Sequence, residues 1–239
     1  MKKKFNLCFL SSFIIFLSSF FTGQNNHPPQ VVFLSPADNS SWPVNGQPAW
    51  SVQVKDEEDG DSKFDEVNPL ELLVHVQFFP GGKDQSKINA AEKKLEPEGL
   101  QWMISSNCFN CHRFSEKSIG PSFIDLKEKY AVNDINLSSL AKHIHEGSSG
   151  TWGKVVMPSH PEFSEADCRK MARWMIETAA EKNQEWLVGI SGTVRMDNIN
   201  PRKMKGVLLL TASYLDHGVK DAPKVPRLSG SAMIKMRIE

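Results

Sequence analysis

The pentapeptide Cys108-Phe109-Asn110-Cys111-His112 constrains this chain more than any other feature of its 239 residues. Two thiols three positions apart can form thioethers with the two vinyl groups of one haem, and the histidine next in line is then placed under the ring to ligate iron. A zinc site would want a second ligand pair, yet the other cysteines, Cys8 and Cys168, are each alone and far away. A thioredoxin-like CxxC would want a strand before it. Gln101 to Asn107 shows no strand alternation, and Ser105, Ser106 and Asn107 read as a fraying helix end. Haem attachment is the better account.

Three further motifs follow in order: Ile119-Gly120-Pro121-Ser122-Phe123, then Gly147-Ser148-Ser149-Gly150-Thr151-Trp152-Gly153, then Met157-Pro158. On these four motifs residues 97–182 resemble a short bacterial class I cytochrome c. The resemblance implies an all-α domain with one covalently attached haem c. It also implies His112 as the proximal iron ligand, the Pro121 carbonyl as acceptor of its Nδ1 proton, Met157 as the distal ligand, and Trp152 over a haem edge or propionate. The chemistry agrees: a soft, neutral thioether opposite an imidazole favours ferrous iron, and a carbonyl behind the imidazole fixes its tautomer and orientation.

Nine methionines are present, and only Met157 combines a loop with a following proline. Met171 and Met175 lie four apart on a helix and read as core; Met103 precedes the attachment site, and Met196, Met204, Met233 and Met236 fall in the C-terminal segment. His160, three residues beyond Met157, is the rival ligand. His143 and His145 are two apart on a helix, hence on different faces, and are expected to be solvent-exposed rather than ligating.

Helix signals surround the motif. Ser164-Glu165-Ala166-Asp167 reads as a capping box opening a helix that runs to about Lys182, with Cys168, Met171, Ala172 and Met175 on one stripe facing Leu100 and Ile104. This makes Cys168 a small buried hydrophobe. A helix is expected from Ser122 to Tyr130 and another from Ile135 to Glu146, with Leu137, Leu140, Ala141 and Ile144 inward and Gly147 as its stop.

The chain opens with Lys2, Lys3 and Lys4 and a mostly apolar run from Phe5 to Phe21, a signal-peptide pattern over residues 1–23. Export suits haem attachment, so a periplasmic or secreted location is expected, with membrane contact only if the leader stays uncleaved. Without the leader, 25 basic side chains stand against 28 acidic ones, and no basic cluster suggests nucleic acid.

The flanks have a different texture. Gln30–Leu34, Ala49–Lys55 and Leu70–Phe79 read as strands in a β-rich segment at 27–82, with a turn at Ser35–Asn39; 83–96 reads as a linker. Leu187–Arg195, Gly206–Tyr214 and Ala232–Ile238 read as strands at 186–239. Three strands per flank bury little core, so the expected architecture is multidomain α plus β, the cytochrome domain flanked by and inserted into one β-sandwich-like region. Two separate small β modules are the alternative. The N-terminal flank resembles the immunoglobulin-like modules of the polycystic-kidney-disease type, which join dehydrogenase and cytochrome domains in some secreted bacterial proteins. Asp56, Asp59 and Asp61 form an acidic turn, read as solvated in preference to a Ca²⁺ site.

The expected function is single-electron transfer between redox partner proteins, without an enzymatic reaction. Candidate donors are quinoprotein or sugar dehydrogenases, and candidate acceptors are a terminal oxidase or reductase. One alternative is a carbohydrate or cell-surface binding module with accessory haem, for which Trp42, Trp50 and Tyr214 would be the platform if they were not core. Another is a haem sensor or peroxidase whose iron is not bound by Met157.

Overall fold

The computed structural model describes residues 25–82, 85–92, 98–104, 106–177, 182–222 and 224–239. The expected leader lies outside the described residues, as do parts of the linker and residues 178–181 of the expected final cytochrome helix.

Two sheets are built from both flanks. In one, β1 (Gln30–Ser35) pairs antiparallel with β3 (Ala49–Asp56), which also pairs with β4 (Gly60–Asp61) and β7 (Ser191–Thr193). The other runs in the order β2 (Ser40–Trp42), β9 (Ser229–Ile238), β8 (Gly206–Leu215), β5 (Leu73–Pro80) and β6 (Gln184–Val188). Side chains alternate across a strand, and β5 uses both faces. Val74, Val76 and Phe78 enter a buried core shared with Trp50, Val52 and Val54 of the first sheet, while Leu73 joins the helical core on the opposite side.

The strand expectations hold at their centres and fail at their ends. Leu70 and Glu71 are not extended, because Pro69 opens a 3-10 turn at Pro69–Glu71 capped by the Asn68 side chain, which accepts from the Leu70 amide. The expected strand Leu187–Arg195 is two strands. Gly189, at φ 128°, breaks it, and the chain passes from β6 beside β5 to β7 beside β3. β2 escaped detection because it is three residues long and pairs parallel with the distant β9.

Among the described residues six helices lie between β5 and β6 in sequence, and a short α7 (Met196–Ile199) follows β7. α1 (Gln85–Glu92) occupies the linker and buries Ile88; α2 (Glu98–Ile104) and α3 (Cys108–Cys111) follow. α4 (Phe123–Lys129) begins at a reciprocal capping box between Ser122 and Asp125, and α5 (Asp134–Glu146) at an Asn133 cap. α6 (Glu165–Glu177) starts after Ser164, whose hydroxyl accepts from the Asp167 amide at 3.2 Å. Its stripe of Cys168, Met171, Ala172 and Met175 packs in one core with Leu100, Ile104 and the inward residues of α5, as the periodicity implies. Trp174 and Ile176 are buried as well, so α6 is covered on a wider face than one stripe.

The acidic turn is not freely solvated. Asp56 is 6% exposed and its Oδ1 accepts from the amides of Glu58 and Asp59; Asp59 accepts from the Tyr214 hydroxyl at 2.8 Å; Asp61 accepts from Gln53. Among the described residues no group of three His, Cys, Asp or Glu side chains is placed to hold a metal ion. Trp50 and Tyr214 are buried in the inter-sheet core and Trp42 packs against it, which leaves no aromatic platform of these three for sugar.

Candidate functional site

α3 and the loops after it converge on one open cleft, with about 1110 Å³ of space counting its mouth. Cys108, Cys111, His112, Pro121, Trp152 and Met157 all line it. The short α3 turns the two cysteines and His112 toward this space from one end, with Phe109 buried behind them.

His112 is held from three directions. Its Nδ1–H donates to the Pro121 carbonyl at 2.7 Å, and its ring lies nearly parallel to Phe123, with centroids 5.9 Å apart at 13°. Gly120 passes so close that a Cβ there would fall 2.5 Å from Cε1 of the imidazole. Burial lowers the pKa of His112, and the hydrogen bond to Pro121 opposes that shift without cancelling it. The imidazole is therefore neutral with its proton on Nδ1, which leaves the Nε2 lone pair free for a metal. Burial pushes the Cys108 thiol up, opposed by the Ser106 hydroxyl 3.0 Å from its sulfur.

Met157 lines the same cleft. An isolated antiparallel bridge fixes it: its amide donates to the Ser148 carbonyl at 2.8 Å, and the Ser148 amide donates to its carbonyl at 3.1 Å. Gly147 makes that bridge possible, since at φ 83° it takes a left-handed turn, and a Cβ there would lie 2.9 Å from the Met157 carbonyl oxygen. Trp152 is half-buried beneath Lys129, whose ammonium sits 4.3 Å from the indole centroid.

The histidine expectations need correction. His143 is half-buried and lines the cleft, and His145 is half-buried with its Nδ1–H donating to the Phe163 carbonyl at 3.0 Å, so neither is simply solvent-exposed. They do lie on different faces of α5. His160 also borders the cleft, 7% exposed, with its Nδ1 2.8 Å from the Glu162 carboxylate. Gly120 is the residue whose role sequence reading passed over: the Gly-Pro turn was visible, but not the imidazole stacked on it.

The donor set fits a covalent haem. Two thiols, a neutral imidazole with a free nitrogen and a thioether face one predominantly apolar space. The exposed apolar side chains Ile119, Val155 and Val156 stand around it.

Comparison with known proteins agrees with that chemistry. No family model matches the chain. It is 39% identical over 71 residues to cytochrome c-552 of Nitrosomonas europaea, covering 30% of this chain and 69% of the relative. It is 38% identical over 78 residues to cytochrome c-551 of Azotobacter vinelandii, covering 33% of this chain and 94% of that protein. The crystal structure of the Nitrosomonas europaea cytochrome c552 aligns over 32% of this chain and 95% of its own, at 36% identity and a TM-score of 0.31. Over about a third of its length, the chain thus belongs to the class I monohaem cytochromes c of the c-551 and c-552 kind, electron carriers with one covalently bound haem c.

Proposed function

We propose that this chain is an exported one-electron carrier in which Cys108 and Cys111 tether the haem and His112 and Met157 ligate its iron. The observation that carries the reading is the meeting of these four side chains in one cleft, with the His112 tautomer set by Pro121. When bound, the haem supplies an iron that alternates between ferric and ferrous forms. Pro121, Gly120 and Phe123 orient the imidazole. The bridge between Ser148 and Met157 presents the thioether, which favours the ferrous form. Trp152, with the Lys129 ammonium over its indole, lines the cleft.

The two flanks are proposed to make one immunoglobulin-like β-sandwich into which the cytochrome unit is inserted. The mixed parentage of both sheets and their common core support that arrangement. Residues 1–23 are proposed to direct export to the periplasm or beyond. A periplasmic dehydrogenase is the proposed donor, with the apolar rim of Ile119, Val155 and Val156 as a contact surface.

The test is the absorption spectrum of the purified holoprotein, together with that of Met157→Ala. Covalent haem, and a near-infrared thioether-to-iron charge-transfer band that disappears in the variant, are the expected results. A band absent from the native ferric protein would transfer the distal role to His160 or leave the position open, and a sensor or peroxidase would then be the better reading. Failure of candidate dehydrogenases to reduce the holoprotein would sink the donor proposal alone.

A further inference from the structure

A continuous run of rings leads from the β-sheet to the imidazole of His112. His75 of β5 lies flat on Trp186 of β6, with centroids 3.7 Å apart at 3°. Trp186 meets Phe114 at 6.0 Å and 17°, and Trp174 edge-on at 5.5 Å. Phe114 and Trp174 in turn meet Phe123 edge-on at 5.2 and 5.7 Å, and Phe123 lies against His112. Trp186 is 5% exposed, and among the described residues neither its indole N–H nor that of Trp174 has an acceptor. Burying an unpaired donor is unfavourable, so ring packing on the backbone of β6 and α6, and not an indole hydrogen bond to a described residue, holds these rings.

A second tie reaches the same place. Arg195, just after β7, donates from Nε to the buried Glu185 of β6 at 2.9 Å and from Nη2 to the Ser115 hydroxyl at 2.8 Å, and it also pairs with Glu116. Ser115 and Glu116 lie only a few residues beyond His112. The backbone between them is fixed as well: the Phe123 amide donates to the Arg113 carbonyl and the Ile124 amide to the Phe114 carbonyl, both at 3.1 Å.

We infer that Trp186 and Arg195 are positioning residues for His112, through which the β-sheet region sets the reduction potential of the haem site. The inference rests on His112 being an iron ligand. Close-packed interiors transmit strain, and rings in contact cannot shift singly. With Trp186 in place, Phe114 and Trp174 hold Phe123 against the imidazole and keep the Nδ1–H on Pro121. That hydrogen bond makes the imidazole a stronger donor, which stabilises the ferric form. Loosening the stack weakens the bond and raises the potential.

The experiment is equilibrium redox titration of the full-length holoprotein, with paramagnetic NMR of the His112 ring protons, for the native chain, Trp186→Leu, Arg195→Gln and Val76→Ala. Val76 lies in the inter-sheet core and reports whether destabilisation alone moves the potential. Trp186→Leu is expected to shift the equilibrium toward ferrous by threefold or more, about 28 mV at 59 mV per decade for one electron. Arg195→Gln should shift it in the same direction and by less, with Val76→Ala at the native value. Unchanged potential and His112 resonances in folded Trp186→Leu would overturn the inference, as would an equal shift in Val76→Ala. If Trp186→Leu fails to fold, Arg195→Gln decides: a rise supports the inference and a native potential refutes it. A native protein without His112 ligation would overturn the functional reading itself, which its own spectrum reveals before any variant is made.

Discussion

Replacing Gly120 by alanine tests whether the imidazole of His112 is as tightly seated as the geometry implies. An ideal Cβ at that position would lie 2.5 Å from Cε1, 2.9 Å from Nδ1 and 3.0 Å from Nε2 of the ring. Carbon atoms at rest stay about 3.5 Å or more apart, so the ring or the loop must yield by about 1 Å. The ring cannot swing aside freely: Pro121 holds Nδ1 at 2.7 Å, and Phe123 lies on the stack that continues into the core. Overpacking of this kind costs about 1–3 kcal/mol, and losing the Pro121 hydrogen bond adds about 1 kcal/mol. The unfolded chain becomes stiffer when glycine is replaced, which returns about 0.4–1 kcal/mol. The steric effect wins, and a net loss of about 1–4 kcal/mol is expected. Urea unfolding of the holoprotein, followed by haem absorbance and far-ultraviolet circular dichroism, measures it. A Gly120→Ala protein as stable as the native one, with an unchanged near-infrared band and unchanged His112 resonances, would refute the reasoning.

His217 bridges Asp59 and Glu71 at 3.1 Å each, and these hydrogen bonds push its pKa from 6.5 up to about 10 against the opposing effect of burial. A pKa raised on folding adds stability that is complete below pH 6.5 and is lost as the pH climbs toward 10. The side chain is 46% exposed, so screening holds the gain to about 1 kcal/mol. Chemical denaturation at pH 6 and pH 10 should show that loss in the native chain and a flatter profile in His217→Gln. Phe123→Ala removes a fully buried ring that meets Phe109, Phe114, Trp174 and His112. It is expected to cost about 3–5 kcal/mol in thermal or urea unfolding, and a loss below 1 kcal/mol would show that the ring is not a keystone of the stack.

The candidate residues that meet in the cleft were legible because their motifs are short and local. Cys108, Cys111 and His112 sit within one short motif, Met157 stands in a loop before a proline, and Pro121 was placed through the resemblance of its motif to the cytochrome family. Helices α4 to α6 were legible for a similar reason, since Ser122, Asn133 and Ser164 cap them and their apolar residues recur with helical spacing. Contacts made over long separations left no such trace. The His75 ring reaches Gln184 and Trp186 from another strand, 109 residues from Gln184, and Arg195 reaches Ser115 across 80. A short parallel strand such as β2 has no periodicity to read, and a glycine at 189 inside an apolar run is visible only as an interruption, not as the place where one sheet hands the chain to the other. The partial burial of His143 and His145 likewise depends on where the loop after Gly147 folds back, which spacing along α5 does not encode.

Strands β5 and β6 are hydrogen-bonded neighbours although the whole helical segment lies between them. Bringing the ends of a flexible loop of about a hundred residues together costs about 2 kcal/mol more than closing one of ten, because each doubling of length adds about 0.6 kcal/mol. A helical unit that folds first replaces that long loop with a compact body whose two ends already lie side by side. On that order haem attachment would bear on folding as well as on redox chemistry: by stabilising the compact body it would shorten the effective loop that the register of β6 on β5 has to close.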